Sequence, residues 1–275
     1  THCISSAASD VYKRQHTDFS FDSDEKMAAY LKLAGDNFVS TEHLDFKDPD
    51  DKDGDDLFDY DAYSREIHRL EEDTGKHIFK GVEIGYFAGR EKNIKSYLKK
   101  HDFDIKLLSF HRGPDYDFDD SMVSQMDPLK VADQYYRLMW KGINAFHDAD
   151  VLAHFDYGVR QLNLTSGMFE TTAGVLLANI LKLAVRYNMA FELNTTSMYK
   201  YHNIGLYDYA LEIYKQLGGK RFTIGSDAHD TTQYMRNYEN AVDMLKAHDI
   251  HHVNVYRKNA MIIVPLDDVD EGIKY

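Results

Sequence analysis

The chain has 275 residues and a formal net charge of −14, with 32 Lys and Arg against 46 Asp and Glu. That length suits a single α/β barrel, which usually takes about 250 residues, and the acidic balance disfavours nucleic acid and anionic membranes as partners. The single cysteine, Cys3, excludes a disulfide framework and a cysteine metal site. The sequence shows neither an apolar run of ~18 residues nor a signal-peptide core, so we expect no membrane span and a cytoplasmic protein.

The first residues differ in character from the rest of the chain. Residues 5–15, with the sequence SSAASDVYKRQ, resemble the in-frame translation of a transposon-end sequencing adapter. A segment of that origin is not part of the natural protein and carries no information about its fold. We therefore expect residues 1–15 to form a non-native, poorly ordered leader and residues 16–275 to form one barrel domain.

Beyond this leader, short apolar strands alternate with amphipathic helices. In chain order, the predicted helices cover residues 23–35, 60–74, 91–101, 127–147, 171–187, 207–217 and 234–248. The predicted strands end at residues 16, 43, 83, 111, 154, 194 and 227. A closing β element is predicted at 253–264. Residues 48–61 carry eight aspartates without the glycine that a calcium loop needs at its sixth position. We predict a solvated acidic loop there.

The spacing of the strand ends indicates a barrel. Successive ends are separated by 27 residues (16 to 43) to 43 residues (111 to 154), the length of one β/α unit. A doubly wound sheet would give the same alternation, but it gathers ligands only at its switch point, where six strand ends could hardly converge. We therefore predict an α/β barrel of about seven units.

Most of these strands end in, or are soon followed by, a side chain that can bind a metal. Carboxylates and imidazoles suit hard-to-borderline ions, and the carboxyl ends of barrel strands carry the loops that build sites. One such histidine is more often a buried structural residue, but the recurrence along the chain favours a common site. The candidate ligands are His16, Asp22, His43, Glu83, His111, His154, Asp227 and His229.

Five imidazoles and three carboxylates exceed the needs of one ion, so we expect two or three divalent ions (Mn, Zn or Fe). Closely spaced metals generate hydroxide at neutral pH and hold a phosphoryl group by its oxygens. The sequence contains no nucleophile elbow and no phosphate-binding loop. The predicted nucleophile is therefore metal-bound hydroxide.

The motifs that carry these residues resemble, in order, those of the polymerase-and-histidinol-phosphatase (PHP) family, and most closely its histidinol-phosphatase branch. They are HTDFSFD at residues 16–22, TEH at 41–43, GVE at 81–83, SFH at 109–111, AH at 153–154 and GSDAH at 225–229. The resemblance implies a distorted (β/α)7 TIM-like barrel with a trinuclear metal site. It also implies hydrolysis of histidinol phosphate to histidinol and phosphate in histidine biosynthesis.

The same resemblance implies roles for individual residues. The first ion would be held by His16, Glu83 and Asp227. Glu83 would bridge to a second ion held with His111 and His154, and a third would be held by His43 and His229, with Asp22 as a weaker assignment. Glu83, Asp227 and His229 would be the catalytic members of this set.

One position departs from the family pattern. The first family motif is His-x-His, whereas this chain reads Arg14-Gln15-His16. Residues two apart on a strand share a face, so Arg14 is expected to point to where the missing imidazole belongs. A guanidinium repels a metal ion and cannot coordinate it, so the activity of this chain is expected to be impaired.

A phosphorylated substrate also needs a donor beyond the metals, and a guanidinium suits phosphate geometrically. Arg160, Arg112 and Arg257 are the candidates, although each could equally be a surface ion-pair partner. The predicted partner is a small phosphorylated metabolite, histidinol phosphate. Two alternatives stay open: a PHP-family phosphoesterase acting on another small phosphate ester or on nucleotide 3′ ends, and a non-catalytic metal-binding barrel.

Overall fold

The computed structural model describes residues 14–52, 54–258 and 260–266. Most of the predicted leader, residues 1–13, therefore lies outside the described residues. Arg14 and Gln15, which we expected to belong to a poorly ordered segment, are instead buried. Their backbone accounts for this difference, because the carbonyl of Gln15 accepts a hydrogen bond from Thr41 N (2.8 Å) and Ala228 N donates to the carbonyl of Arg14 (3.3 Å).

Seven of the strands in the described part of the chain form one curled sheet, in the order β2-β1-β3-β4-β5-β6-β7. Their bounds are β1 Asn37–Asp45, β2 Asp56–Leu57, β3 His77–Gly85, β4 Ile105–Ser109, β5 Val151–Leu152, β6 Ala190–Asn194 and β7 Phe222–Gly225. Neighbouring strands are parallel, except for the short antiparallel pairing of β2 with the end of β1. Strands β8 (His252–Arg257) and β9 (Ala260–Pro265) form a separate antiparallel hairpin.

Gln15 joins the two sides of this sheet. It forms parallel bridges with Ser40 on β1 and with Ala228 just after β7. Gln15 together with β1 and β3 to β7 makes seven parallel strand positions around one interior, so the predicted seven-unit α/β barrel is confirmed. The unpredicted strand β2 lies inside the stretch for which we expected a solvated acidic loop.

The α-helices in the described residues are α1 Met27–Leu31, α2 Tyr60–Thr74, α3 Glu91–Lys100, α4 Pro128–Ala145, α5 Ser166–Phe169, α6 Val175–Arg186, α7 Thr195–Tyr199, α8 Ile204–Gln216 and α9 Tyr238–Ala247. Capping interactions explain why the ends of α2 and the start of α4 lie close to their predicted positions. The Asp59 carboxylate accepts from Ala62 N at the start of α2, and Gly75 ends that helix with φ 70°. Asp127 accepts from Leu129 N at the start of α4.

Other helix predictions differ from the structure. Helix α1 is shorter than predicted, and Ser23 lies outside it, where its Oγ accepts from Glu25 N (3.3 Å) and donates toward the carbonyl of His229 (2.8 Å). Helix α9 begins four residues late, because Asn237 has a left-handed backbone (φ 55°). Helix α7 was not predicted, and Asn194 caps it by accepting from Ser197 N (2.9 Å).

One helical stretch has the length and composition of a membrane span, a feature that the sequence analysis did not identify. Residues Ser166–Arg186, which comprise α5, a π-helical turn and α6, are long enough and apolar enough to cross a bilayer by length and composition. The stretch packs between α4 and α8 in the helical layer around the barrel. Its apolar residues Leu177, Ile180, Leu181 and Ala184 are buried there, and core helices commonly have this composition.

Candidate metal centre

A cavity of about 460 Å³ opens at the carboxyl ends of the barrel strands. Six of the eight predicted ligands line it, namely Asp22, His43, His111, His154, Asp227 and His229. The other two, His16 and Glu83, lie behind them and are fully buried. The structure therefore brings all eight predicted residues to one end of the barrel.

Glu83 lies at the centre of this cluster. Its Oε1 is 3.1 Å from His111 Nε2 and 2.7 Å from His154 Nε2, and its Oε2 is 3.2 Å from His16 Nε2. Burial opposes ionisation of this carboxyl, but the charges of Arg14 and His43 hold the pKa of Glu83 well below its ordinary value. An ionised, fully buried carboxylate surrounded by imidazoles is a suitable bridging ligand for metal ions.

Among the residues that the structure describes, three groups of side chains have ligand atoms that all lie within 4.8 Å of one another. They are His16, Asp22, His43 and His229; His43, Glu83 and His111; and His16, Glu83 and Asp227. In the first group, the ring of His16 stacks against those of His43 (4.4 Å between centroids) and His229 (4.5 Å). These groups overlap the three ligand sets implied by the family resemblance, although His43 replaces His154 in the second group and His16 joins the third set.

Arg14 lies within the same cluster, as its position two residues before His16 predicted. Its Nη2 donates to Glu83 Oε2 and lies 3.2 Å from both Asp227 Oδ1 and His154 Nε2. Burial disfavours the charged guanidinium, but the carboxylates of Asp227, Glu83 and Glu192 raise the pKa of Arg14 above its ordinary value. The donor set of His16, Glu83 and Asp227 therefore does not suit an ion while Arg14 occupies it, whereas the other two groups suit a divalent ion.

Sequence reasoning missed two carboxylates in this centre. Asp45 accepts from the Nδ1 atoms of His43 and His111, at 3.0 Å in each case. Glu192 accepts from His154 N (2.7 Å) and faces Arg14. Burial raises the pKa of the Glu192 carboxyl to about 7, even though the nearby positive charge of Arg14 acts to lower it.

The alternation of side chains along a strand is the signal that could have identified both residues. Asp45 lies two positions after His43 on β1, and Glu192 lies two positions before Asn194 on β6. Residues two apart on a strand point to the same face. Asn194 was predicted as a strand end but not as a site residue, and its Nδ2 donates to Asp227 Oδ2 (3.1 Å).

The three arginines that we predicted as phosphate donors lie in different surroundings. Arg160 lines the cavity with its side chain buried, and its guanidinium is 4.1 Å from the ring centroid of Tyr157 and 4.5 Å from that of Tyr201. Its Nη2 donates to Asp119 Oδ1 (3.0 Å). Arg112 also lines the cavity.

Arg257 is not brought to the cavity. Its guanidinium lies 6.0 Å from the ring of Phe79, near the amino end of β3. The next residue, Lys258, donates its backbone N–H to Asp104 just before β4. Strand β8 therefore carries Arg257 to the opposite end of the barrel from the candidate metal centre, and the prediction that it binds phosphate is not supported.

The fold and the site together define an α/β barrel with a centre of histidines and carboxylates at the carboxyl ends of its strands. The family model of the PHP domain matches residues 13–196. The chain therefore belongs to the PHP domain family.

Individual relatives carry related names. The chain is 29% identical over 238 residues to the probable histidinol-phosphatase of Clostridium acetobutylicum, covering 83% of this chain and 90% of the relative. It is 25% identical over 251 residues to the histidinol-phosphatase of Lactococcus lactis, covering 88% and 92%. A crystal structure of histidinol phosphate phosphatase from Lactococcus lactis, complexed with zinc, L-histidinol and phosphate, has a TM-score of 0.81 to this chain at 21% identity, covering 92% and 99%.

Proposed function

We propose that this chain is a metal-dependent phosphomonoesterase that hydrolyses L-histidinol phosphate to L-histidinol and phosphate, as a step of histidine biosynthesis. The observation that carries the proposal is the convergence of four imidazole Nε2 atoms on the buried carboxylate of Glu83, beside an open cavity that also contains Arg160. The relatives named histidinol-phosphatase, and the related structure complexed with zinc, L-histidinol and phosphate, support the choice of substrate.

We further propose which residues would hold the ions. Asp22, His43 and His229, with His16, form the group at the cavity mouth, and Glu83 with His111 and His43 forms the deeper group. His154 and Asp227 are the remaining candidates, and they would bind an ion only where the Arg14 guanidinium, which contacts both, is displaced. Divalent ions bound there would supply an activated water as the nucleophile and balance the charge of the phosphoryl group.

The rest of the cavity suits the substrate. Arg160 would donate to the phosphate in a charge-assisted, bidentate contact. Its guanidinium lies over the rings of Tyr157 and Tyr201, which hold it in place. Arg112 is the second candidate donor, because it lines the same cavity. Asp117, which accepts from the Tyr157 hydroxyl (3.2 Å), provides a carboxylate for the cationic end of an amino-alcohol phosphate.

A phosphate-release screen tests the proposal. The purified chain is incubated with manganese and with histidinol phosphate, sugar phosphates and nucleotides in parallel. We expect the highest kcat/KM for histidinol phosphate. A preference for another phosphate ester would keep the chain a PHP-family phosphoesterase but overturn the substrate.

Arg14 favours a second candidate function. Because its guanidinium contacts Glu83, Asp227 and His154, the chain would bind fewer ions than the full ligand set allows. If the missing ion is essential for hydrolysis, the chain would be a metal-binding barrel with impaired catalysis. Metal binding without phosphate release from any ester in the screen would support this second candidate.

A further inference from the structure

Asp45 contacts two candidate metal ligands at once. Its Oδ2 lies 3.0 Å from His43 Nδ1, and its Oδ1 lies 3.0 Å from His111 Nδ1. The two histidines come from different strands, because His43 is on β1 and His111 follows β4. One carboxylate thus connects two of the groups that could hold ions.

This arrangement fixes how each ring can act. An ionised carboxylate only accepts hydrogen bonds, so both Nδ1 atoms must carry a proton. The lone pair of each imidazole is then on Nε2 when the ring is neutral. Both Nε2 atoms point away from Asp45 and toward Glu83, at 3.1 Å for His111 and 3.9 Å for His43.

The neighbouring strand leaves space for this carboxylate. Asp45 is paired in register with Gly85 on β3, two pairs beyond His43 and Glu83. A Cβ atom at position 85 would overlap Asp45 Oδ1. Any other residue at position 85 would therefore displace the carboxylate from the two histidines.

We propose that Asp45 is a positioning residue of the metal centre, which sets the tautomer and orientation of His43 and His111 so that both present Nε2 to an ion. This inference rests on the proposed metal-dependent function. Asp45 acts through the two rings, as carboxylates beside ligating histidines commonly do.

The main test is the metal affinity of Asp45→Asn, measured by competition of Zn²⁺ or Mn²⁺ with a chromophoric chelator. An asparagine oxygen can accept from one Nδ1–H, but its NH₂ group cannot accept from the other. One histidine must then give up its hydrogen bond or its tautomer. We expect affinity to fall by about 10- to 100-fold, with thermal unfolding of the metal-free variant close to that of the unmodified chain.

Asp56→Asn is the matched control. Asp56 lines the same cavity and is the register partner of Asp45 on β2, but it pairs with Lys47 (2.7 Å). Its replacement should leave metal affinity within about twofold, because only pairing near the surface is lost.

A second variant leaves Asp45 itself unchanged. Gly85→Ala should displace the Asp45 carboxylate and lower metal affinity in the same way. Gly167→Ala, where a Cβ would meet no atom within 4 Å, controls for the added methyl group.

Ring ¹⁵N spectra of the zinc-loaded protein give a readout that a merely structural role would not change. In the unmodified chain, the spectra of His43 and His111 should show protonated Nδ1 and metal-bound Nε2. In Asp45→Asn, one of the two rings should lose this signature.

The outcomes separate this inference from the proposed function. Unchanged affinity and unchanged ring signatures in Asp45→Asn would overturn the positioning role, even if the chain hydrolyses histidinol phosphate. Reduced affinity in a chain that hydrolyses no phosphate ester would support the positioning role and overturn the proposed function. An unmodified chain that binds no metal would overturn both.

Discussion

Arg14 and Glu83 form a buried ion pair at the centre of the candidate metal site. Arg14 Nη2 donates to Glu83 Oε2, and the same nitrogen lies 3.2 Å from Asp227 Oδ1. These two carboxylates, with His16, form one of the three groups that could hold an ion. A guanidinium thus balances part of the negative charge that a divalent ion would otherwise balance, but it cannot coordinate a water oxygen and lower the pKa of that water as a metal ion does.

We expect Arg14→His to raise metal content and phosphatase activity together. The substitution removes the competing cation and adds an imidazole on the strand face that already carries His16. Metal analysis of the purified variant should give about one additional ion per molecule. Because ligands that bind the native state stabilise it, manganese should raise the melting temperature of the variant more than that of the unmodified chain.

The same change should destabilise the metal-free protein. Without Arg14, the carboxylates of Glu83, Asp227 and Glu192 lose their shared cation, and unpaired buried charges are costly. Thermal unfolding in a chelator should therefore occur at a lower temperature in Arg14→His. Arg69→His on the surface of α2, where the arginine pairs with Glu66 and Asp73, is the control. An unmodified chain that binds three ions per molecule would contradict this account.

Asp227→Asn should abolish turnover without unfolding the barrel. Asp227 has a left-handed backbone with φ 52°, a conformation that asparagine tolerates. The amide removes a negative charge 3.1 Å from His16 Nε2, a ligand atom of the group at the cavity mouth that suits an ion. Phosphate release and thermal unfolding should be measured together, with Asp230→Asn in the half-buried turn that follows as the control. Near-normal activity in Asp227→Asn would show that the site is assigned wrongly.

The strand ends could be predicted from the sequence because their signal is local. The strand that contains His43 is an apolar, β-branched run followed by polar residues, and the strand that contains Glu83 shows the same change of composition. In the structure both strands extend two residues further, to Asp45 and Gly85. The predicted strand ended at His43 and the predicted acidic loop began at residue 48, so Asp45 was not considered as part of the site.

Contacts between distant parts of the chain could not be predicted in this way. Glu192 appears in the sequence as an acidic residue inside a short apolar strand, and its partner Arg14 is 178 residues away. Periodicity gives the face of a strand but not which strand is its neighbour. Arg257 shows the converse error, because a position after a late strand does not reveal to which end of the barrel a hairpin returns.

Stability should depend on pH through Asp150, away from the metal centre. This carboxylate precedes β5 and accepts from Lys106 N (2.9 Å), and burial raises its pKa. A raised folded-state pKa means that the folded state binds the proton more tightly than the unfolded state. The contribution to stability is then fully present below the unfolded pKa of about 3.9 and is lost as pH rises through the folded value.

Asp150→Asn should remove this dependence. An asparagine oxygen can still accept from Lys106 N, so the variant should gain stability relative to the unmodified chain as pH rises from acid to neutral. Denaturant unfolding across that range measures the difference. The control is Asp148→Asn, which removes the exposed carboxylate beside the Lys106 ammonium. It shows how much of the effect comes from losing a negative charge rather than from losing the buried carboxyl whose pKa is raised. A difference that stays constant with pH would contradict the prediction.

Arg160→Ala should raise the KM for histidinol phosphate with little effect on kcat. Loss of a charge-assisted contact is worth about 1.5–3 kcal/mol, which corresponds to roughly a 10- to 150-fold increase in KM where KM follows binding. Arg160→Lys keeps the charge but loses the bidentate geometry and the stacking on Tyr157 and Tyr201. Its KM should therefore lie between those of the unmodified chain and Arg160→Ala. Inhibition by inorganic phosphate should weaken in parallel. Arg112→Ala is measured alongside, and an unchanged KM in Arg160→Ala with a raised KM in Arg112→Ala would transfer the phosphate contact to Arg112.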